Sequence, residues 1–408
     1  MSAAAIIPGV AVPSALVARP DAFGGLRWGD CLTGDLVVHD GRAVALRPGT
    51  AVKRMVLPKL TEVHCHLDKC HTIDRIEEAG SRVGGNLRHA IAAQEHDKRH
   101  WTGEDLRARM ARGLAECAAA GCSVVRSHLD WSRPDPALPL AWEVLQDLAS
   151  EHRLDLQLAA LCGIDLLAEP GLANAMAGAI APRRGVLGAF VLDQPHRLTG
   201  VRAAFSAADR HGLALDFHVD EGLDPDLDGL SMIVDVALET GFQGPVLCGH
   251  GCALSLLPDD DLSRLADRMA RAGIALAALP STNLYLQGRG ADGKRPRGLA
   301  PVSALRERGV RVVIGTDNVR DAFMPLGRHD PLWALSLACL AAHLDPPMGQ
   351  WLPAITTDAR AALGLAPVTV DGARLAELVA FETKSTADLL AHPPPAEALN
   401  DLKMDMIA

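Results

Sequence analysis

The stretch MVLPKLTEVHCHLD at residues 55–68 is an apolar, strand-like run that ends in polar side chains. It is the first of a series of such runs that continues to residue 318. Strand-like runs that alternate with helices along a chain are typical of α/β folds with a parallel sheet. Eight such units predict a (β/α)8 TIM barrel. A doubly wound open sheet would be expected to have the motif GxGxxG after its first strand, and the sequence has no such motif there. The seven runs that follow the first are CSVVRSHLD (122–130), LQLAAL (156–161), GVLGAFVLD (185–193), LALDFHVDE (213–221), PVLCGH (245–250), IALAALPS (274–281) and VRVVIGTDN (310–318).

The segments between these runs have the apolar spacing of amphipathic helices. Several of them end in glycine, as the C-terminus of a helix often does. We therefore predict helices over these segments, of which the clearest are EDLRARMARGLAECAAAG (104–121), PLAWEVLQDLASEH (139–152), VRAAFSAADRHG (201–212) and DDLSRLADRMARAG (260–273).

A different pattern occupies the two ends of the chain. Residues 1–57 contain short strand-like runs broken by Gly and Pro, namely SALVA, LVVHD, AVALR and KRMVLP. Period-two apolar patterning between turn residues predicts a small β module. The extended piece LAELVAFE at residues 375–382 would rejoin these strands. We predict a small flanking β-sandwich domain built from residues 1–57 and 365–408, with the catalytic barrel at 58–364.

The composition and the net charge of the chain exclude several classes of function. The chain has 408 residues, a formal charge of −10 and 49% hydrophobic residues, so global disorder is excluded. An acidic chain lacks the basic footprint that nucleic acids require, so we expect a small-molecule partner and no nucleic acid. No uninterrupted apolar run reaches ~18 residues, so we expect no membrane span. Nine scattered cysteines without any CxxC predict reduced thiols and a cytoplasmic protein.

Polar side chains collect where the predicted strands end, which is where barrel enzymes place their active sites. His64 and His66 form an HxH on the first strand, and a spacing of two puts both imidazoles on one face. His218 ends the fifth strand with Glu221 three residues later, while the sixth and eighth strands end in His250 and Asp317. Two histidines from one strand, a third histidine and a carboxylate predict a site for Zn²⁺ or Fe²⁺ that leaves room for water.

Five motifs, in their order and context, resemble those of the amidohydrolase superfamily and more narrowly its cytosine-deaminase-like branch: HCHLDK (64–69), DFHVDE (216–221), GHG (249–251), NLYLQGR (283–289) and GTDNVRDAFMPLG (315–327). The resemblance covers the whole chain. It implies one divalent ion, zinc or iron, whose ligands are His64, His66, His218 and Asp317. A second ion in this superfamily usually needs a carbamylated lysine, and the chain has no lysine between Lys98 and Lys294.

The resemblance also implies a hydrolytic deaminase in which water replaces an exocyclic amine and ammonia leaves. Glu221 would be the proton shuttle, and a shuttle needs a carboxyl pKa tuned toward neutrality. His250 would contact the attacking water or stabilise the developing charge, and Asp317 would accept the proton of the water. We expect a cytoplasmic enzyme that assembles into a homo-oligomer, as barrels of this family often do.

Departures from the family pattern concern the substrate. Cytosine deaminases carry a glutamine at the end of strand three, where this chain has Gly163, and Asn318 and Phe323 stand where the family has Asp and Trp. We expect these three residues, together with Gln287 and Leu87, to contact the substrate. The ring would then be cytosine, 5-methylcytosine or a related amino-heterocycle.

Two alternatives stay open at this point. One is an amidohydrolase that acts on an N-substituted triazine or on creatinine with the same machinery, although the triazine branch lacks the HxxE glutamate that is present here as Glu221. The other is a non-catalytic barrel scaffold, which would be expected to have lost metal ligands.

Overall fold

The computed structural model of the chain describes residues 5–80, 85–289, 296–402 and 405–406. The strands of these residues form two separate sheets, one from the middle of the chain and one from both ends. In chain order the strands are β1 (Ala5–Pro13), β2 (Leu26–Trp28), β3 (Cys31–His39), β4 (Arg42–Arg47), β5 (Arg54–Pro58), β6 (Leu60–Cys65), β7 (Cys122–Asp130), β8 (Asp155–Gly163), β9 (Leu187–Val191), β10 (Leu215–Val219), β11 (Val246–His250), β12 (Ile274–Ala278), β13 (Val312–Ile314), β14 (Leu378–Phe381), β15 (Ala396–Ala398) and β16 (Asp405–Met406).

The central sheet is the predicted barrel. Its strands β6 to β13 lie side by side in chain order, and every neighbouring pair is parallel. The two outer strands meet through a single parallel bridge between Cys65 and Asp317, where the Asp317 amide donates to the carbonyl of His64 at 2.8 Å. This bridge brings the first and last strands together, so the sheet is a nearly closed (β/α)8 barrel and the doubly wound alternative is wrong.

The second sheet confirms that both ends of the chain build one small β module. Its main path runs β15-β14-β5-β1-β3-β2, with β4 on β3 and β16 on β1. Strand β14 pairs antiparallel with β5, as predicted for the segment LAELVAFE. The chain passes from this sheet into the barrel across Lys59, since β5 ends at Pro58 and β6 begins at Leu60. The strand predicted for SALVA is wrong, because pairing of β1 with β3 ends at Pro13 and Ser14–Leu16 turns as a 3₁₀ helix.

Helices follow the barrel strands, and the four that we predicted most clearly are present as α4, α5, α8 and α10. Each has an apolar face toward the sheet; in α4, for example, Leu106, Met110, Leu114 and Cys117 are buried at helical spacing. The α-helices are α1 (Pro20–Phe23), α2 (Ile73–Glu78), α3 (Leu87–Asp97), α4 (Gly103–Ala119), α5 (Leu140–Ala149), α6 (Ile164–Ala168), α7 (Leu172–Ile180), α8 (Arg197–His211), α9 (Gly229–Thr240), α10 (Asp259–Ala272), α11 (Pro280–Leu286), α12 (Val302–Glu307), α13 (Pro331–Ala341), α14 (Thr357–Ala362) and α15 (Thr386–Ala391).

All nine cysteines are free thiols, and only Cys339 is not fully buried. Burial limits the access of oxidants to these thiols, which agrees with the prediction of reduced cysteines. Among the helices of the described residues, none combines the length and the apolar character that crossing a bilayer requires.

Candidate active site

The predicted metal ligands and catalytic residues lie together at the carboxyl end of the barrel. His64 lies near the end of β6 and His218 near the end of β10, while His250 is the last residue of β11. Asp317 follows β13 and is brought to His64 by the bridge that closes the barrel. Because all these strands are parallel, their carboxyl ends open on the same face, and the side chains meet in a buried cluster.

Four of these side chains surround a common point. The Nε2 atoms of His64 and His66 each lie 3.1 Å from Nε2 of His218. Oδ1 of Asp317 lies 3.2 Å from Nε2 of His66 and 3.6 Å from Nε2 of His64. Ligands at 2.0–2.1 Å from a tetrahedral ion are separated by roughly 3.3 Å. The spacing of these four atoms therefore matches the first shell of one metal ion.

The electrostatics of the cluster fit a cation as well. Asp317 is completely buried, and neither of its carboxylate oxygens has a hydrogen-bond partner among the described residues. A buried carboxylate without a partner is strongly unfavourable, and its burial raises the pKa of Asp317. Burial also lowers the pKa of His64, His66 and His218, which keeps their rings neutral and able to bind a metal. The donor set N, N, N, O thus suits zinc or ferrous iron.

A buried lysine lies beside one of the imidazoles. Lys69 Nζ lies 3.1 Å from Nδ1 of His66 and 2.6 Å from Oδ1 of Asp130. Asp68 accepts the Asp130 amide at 2.8 Å through Oδ2, so the two aspartates and the lysine form one connected group. Asp130 is a closer partner of Lys69 than the neighbouring Asp68, whose Oδ1 lies 4.0 Å away, because β7 lies beside β6.

Glu62 was missed by the sequence reasoning. Its Oε1 accepts the amide of His64 at 2.9 Å and the amide of Thr316 at 3.1 Å, so it joins the first and last barrel strands directly beneath the cluster. Burial raises the pKa of Glu62 to about 7. The sequence could have indicated Glu62 by its position, because residues 62, 64 and 66 alternate along one predicted strand and share a face.

His128 on β7 has a specific partner beside the histidine cluster. Its Nε2 lies 3.0 Å from Oδ1 of Asp216, whose other oxygen pairs with Arg126 at 2.8 Å. The His128 ring is 4.0 Å from the His64 ring, centroid to centroid. His128 is thus close to the histidine cluster, but the buried carboxylate of Asp216 engages it from below.

Glu221 and His250 flank the cluster on the cavity side. Oε2 of Glu221 lies 3.6 Å from Nε2 of His250, and Nδ1 of His250 lies 2.9 Å from Nδ2 of Asn283. Burial, and secondly the charge of Asp317, raises the pKa of Glu221 well above its ordinary value. Burial lowers the pKa of His250 to about 4, so this ring is neutral at physiological pH. The pair therefore offers a carboxyl that can hold a proton beside a neutral imidazole.

A cavity of about 310 Å³ opens above the cluster. Its floor contains His66, His218, His250, Glu221 and Asp317, and its walls are mainly apolar. Small-molecule sites have this character, with apolar walls and a few convergent polar groups. The wall residues include Leu87, Ile91, Trp131, Leu161, Cys162, Gly163, Leu166, Phe190, Leu192, Asn318 and Phe323.

Four of the five predicted substrate contacts line this cavity: Leu87, Gly163, Asn318 and Phe323. Gln287 does not. Its Nε2 donates to the backbone carbonyl of Glu221 at 3.3 Å, because the end of α11 packs against the segment after β10. Gln287 thus holds the backbone of the predicted proton shuttle, and its direct contact with the substrate stays a prediction.

The space beside Gly163 is filled by a residue that the sequence did not indicate. A Cβ atom built on Gly163 would lie 3.2 Å from Cζ of Phe190. Phe190 belongs to β9, the neighbour of β8, and it is paired with Gly163 in register. An aromatic ring therefore stands where the family pattern has the side chain of a glutamine.

Comparison with known proteins gives consistent matches. A family model described as "Amidohydrolase family" matches residues 75–402. A pterin deaminase from Rhizobium rhizogenes is 31% identical over 377 residues, which cover 88% of this chain and 84% of that protein. The crystal structure of 5-methylcytosine deaminase from Klebsiella pneumoniae, liganded with 5-fluorocytosine, superposes with a TM-score of 0.78 at 22% identity and covers 99% of this chain and 97% of that one. N-isopropylammelide isopropylaminohydrolase from Burkholderia multivorans gives a TM-score of 0.71 at 22% identity, over 98% of both chains.

Proposed function

The chain belongs to the amidohydrolase family, and from that premise we propose that it is a metal-dependent hydrolytic deaminase that removes an exocyclic amine from a nitrogen heterocycle. The observation that carries the proposal is the cluster at the cavity floor. Four ligand atoms with the spacing of a metal shell lie next to a carboxyl whose pKa is raised, at the bottom of a cavity of small-molecule size. A non-catalytic scaffold would need neither the metal ligands nor a carboxyl with a raised pKa.

His64, His66, His218 and Asp317 would hold one divalent ion, zinc or iron. When bound, the ion supplies a nucleophile at neutral pH by lowering the pKa of water to about 7. The remaining chemistry belongs to side chains of the chain itself.

Glu221 would protonate a ring nitrogen of the substrate. Protonation makes the adjacent carbon, which carries the amine, more electrophilic. Because burial raises the pKa of Glu221, its carboxyl holds a proton at a higher pH than an exposed glutamate would. Asp317 accepts the proton of the attacking water, and Nε2 of His250 donates to the oxygen on which charge develops. The proton taken by Asp317 then passes to the amine, the bond between carbon and nitrogen breaks, and ammonia leaves with the bonding electron pair. The remaining hydroxyl gives its proton to Glu221 and becomes the carbonyl of the product.

The substrate that we propose first is a cytosine-like ring such as cytosine or 5-methylcytosine. Flat apolar walls, among them Phe190 and Phe323, suit a planar heterocycle, and Asn318 adds an amide at the rim. Asn318 is oriented by Asp321, to which its Nδ2 donates at 2.6 Å.

A pterin is the second candidate, and one observation favours it: the relative with 31% identity is a pterin deaminase. A pterin carries its exocyclic amine on a carbon between ring nitrogens, so the same proton shuttle serves both rings. The Phe190 ring beside Gly163 gives the cavity a flat apolar wall, which suits the planar pterin ring as well.

Release of ammonia from a panel of substrates tests the proposal. Metal-replete protein is assayed with aminopyrimidines, pterins and N-substituted triazines, and the ion is counted in the same samples. We expect ammonia from at least one aminopyrimidine or pterin, loss of turnover after chelation, and recovery when zinc or ferrous iron is returned. Protein with a full complement of metal that releases ammonia from none of these rings would refute a deaminase.

A further inference from the structure

A second cluster of possible metal ligands lies away from the cavity. It consists of His71 in the turn after β6, Glu116 near the end of α4, and His329 in the segment between β13 and α13. None of the three lines the cavity of the candidate active site. They come from the first and last β/α units of the barrel and from the helix that precedes β7.

The three side chains have the spacing of a metal site. Oε2 of Glu116 lies 3.0 Å from Nδ1 of His329 and 3.3 Å from Nε2 of His71. One ligand atom from each residue lies within 4.8 Å of the others. These distances resemble the edges of a tetrahedral zinc site, which are roughly 3.3 Å. The other carboxylate oxygen, Oε1, is held by Arg112 at 3.1 Å, so Oε2 is left to face the two imidazoles.

The imidazole of His71 supplies an independent observation. Its side chain is only 4% exposed, yet neither of its ring nitrogens has a hydrogen-bond partner among the described residues. Buried polar groups are almost always satisfied, and an exception calls for an explanation such as an ion. Nε2 of His71 lies 3.3 Å from Oε2 of Glu116, a separation that allows both atoms to bind one cation.

The charges around the cluster leave it available to a cation. Arg320 and Arg328 line the adjoining cleft, but both are engaged elsewhere. Arg320 pairs with Asp74 at 2.9 Å, and the guanidinium of Arg328 lies 5.8 Å from the Trp333 ring. The hydrogen bond with His329 and the nearby ring of His71 outweigh burial and lower the pKa of Glu116, so its carboxylate is ionised.

We propose that His71, Glu116 and His329 bind a structural divalent transition-metal ion such as Zn²⁺, separate from the catalytic ion. The position suggests its role. The strands β6 and β13 share a single backbone bridge, Cys65–Asp317, beside the side chain of Glu62, whereas every other neighbouring pair of the barrel shares a ladder. An ion held by residues that follow β6 and β13 ties the two sides of this seam together, and Glu116 anchors it to α4.

Counting bound zinc tests the proposal on the full chain. Protein is saturated with Zn²⁺, freed of excess ion by gel filtration and analysed for metal. We expect two ions per chain in the wild type and one in the double variant His71→Asn/His329→Asn. Asparagine suits position 71 because His71 has a φ of 60°, a conformation that asparagine tolerates. His392→Asn, at an exposed histidine, is the matched control and should keep two ions.

A second variant covers the case in which the double variant fails to fold. Glu116→Gln keeps the shape of the side chain but removes its charge, and we expect it to weaken binding of the second ion at least about tenfold. Anomalous diffraction at the zinc edge should place that ion between the three side chains. One ion per chain in the wild type, or a second ion that neither variant disturbs, would overturn the proposal. Deaminase activity is measured separately and depends on the first ion only.

Discussion

Nδ2 of Asn283 donates a hydrogen bond of 2.9 Å to Nδ1 of His250. A neutral imidazole that accepts at Nδ1 carries its proton on Nε2. Nε2 of His250 is buried, has no hydrogen-bond partner among the described residues, and lies 3.6 Å from Glu221. The asparagine therefore sets the tautomer that presents an N–H donor to the cavity.

Replacing Asn283 by aspartate should reverse that tautomer. A carboxylate at this position accepts a hydrogen bond from Nδ1–H, so Nε2 carries a lone pair instead of a hydrogen. The donor to the developing charge is then lost. We expect Asn283→Asp to lower kcat by about 10²–10³, the usual effect of losing one such donor, with a smaller change in KM. Steady-state kinetics of ammonia release give both constants. Asn283→Ala, which removes the contact without reversing the tautomer, should lose less; an equal loss in both variants would contradict the reasoning.

Replacing Glu221 by glutamine should separate proton transfer from metal binding. Glutamine has the same shape but cannot transfer a proton, so we expect kcat to fall by about 10²–10⁴ while metal content stays at the wild-type value. Glu95→Gln is the matched control, because Glu95 also lines the cavity but is half-exposed and paired with Lys98. A Glu221→Gln enzyme with wild-type turnover would exclude this glutamate as the shuttle.

Adding a methyl group at position 163 should discriminate between the two proposed rings. The new Cβ would take up space at the cavity wall and stand 3.2 Å from Cζ of Phe190, so that ring must shift by a few tenths of an ångström. We expect Gly163→Ala to lower kcat/KM for a pterin about tenfold more than for cytosine, since the loss of space affects the larger ring. Gly103→Ala, where a Cβ would meet nothing, is the control for helix and backbone effects. Equal changes for both rings would show that this wall does not select by size.

The stability of the protein should carry a pH dependence from Asp321. This carboxylate accepts hydrogen bonds from Asn318 and from the amides of Phe323 and Met324, and burial raises its pKa to about 7. In the unfolded chain an aspartate titrates near 3.9. Between these values the folded state binds the proton and the unfolded state does not, so this contribution to stability is present at low pH and is lost as pH rises toward and through 7.

Asp321→Asn should remove that dependence. Asparagine keeps an oxygen for the two amides, and we expect the wild type to lose about 2–4 kcal/mol more than the variant as pH rises from 5 to 8. Denaturant unfolding at fixed metal concentration measures the difference. Asp226→Asn, at an exposed aspartate, should follow the wild type. Parallel curves for the wild type and Asp321→Asn would mean that Asp321 does not titrate in this range.

The barrel and the polar residues at the carboxyl ends of its strands could be predicted because both depend on periodicity along the chain. Apolar runs with helical segments between them specify parallel strands, and parallel strands place their carboxyl ends on one face. A spacing of two puts His64 and His66 on the same side of β6, and the family motifs supply His218, Glu221, His250 and Asp317. The structure brings these residues together, while their roles as ligands and proton carriers stay predictions until they are measured.

The contacts that refine the site depended on the tertiary structure. Glu62 and Thr316 are 254 residues apart in sequence, and Arg126 and Asp216 are 90 apart, so no local pattern relates them. The side chain of Gln287 turns to a backbone carbonyl, and Phe190 fills the wall beside Gly163, because of the register and packing of neighbouring elements. Local periodicity fixes which face of an element is buried, whereas partners across the barrel follow only from its closure and from the rotamers that close packing allows.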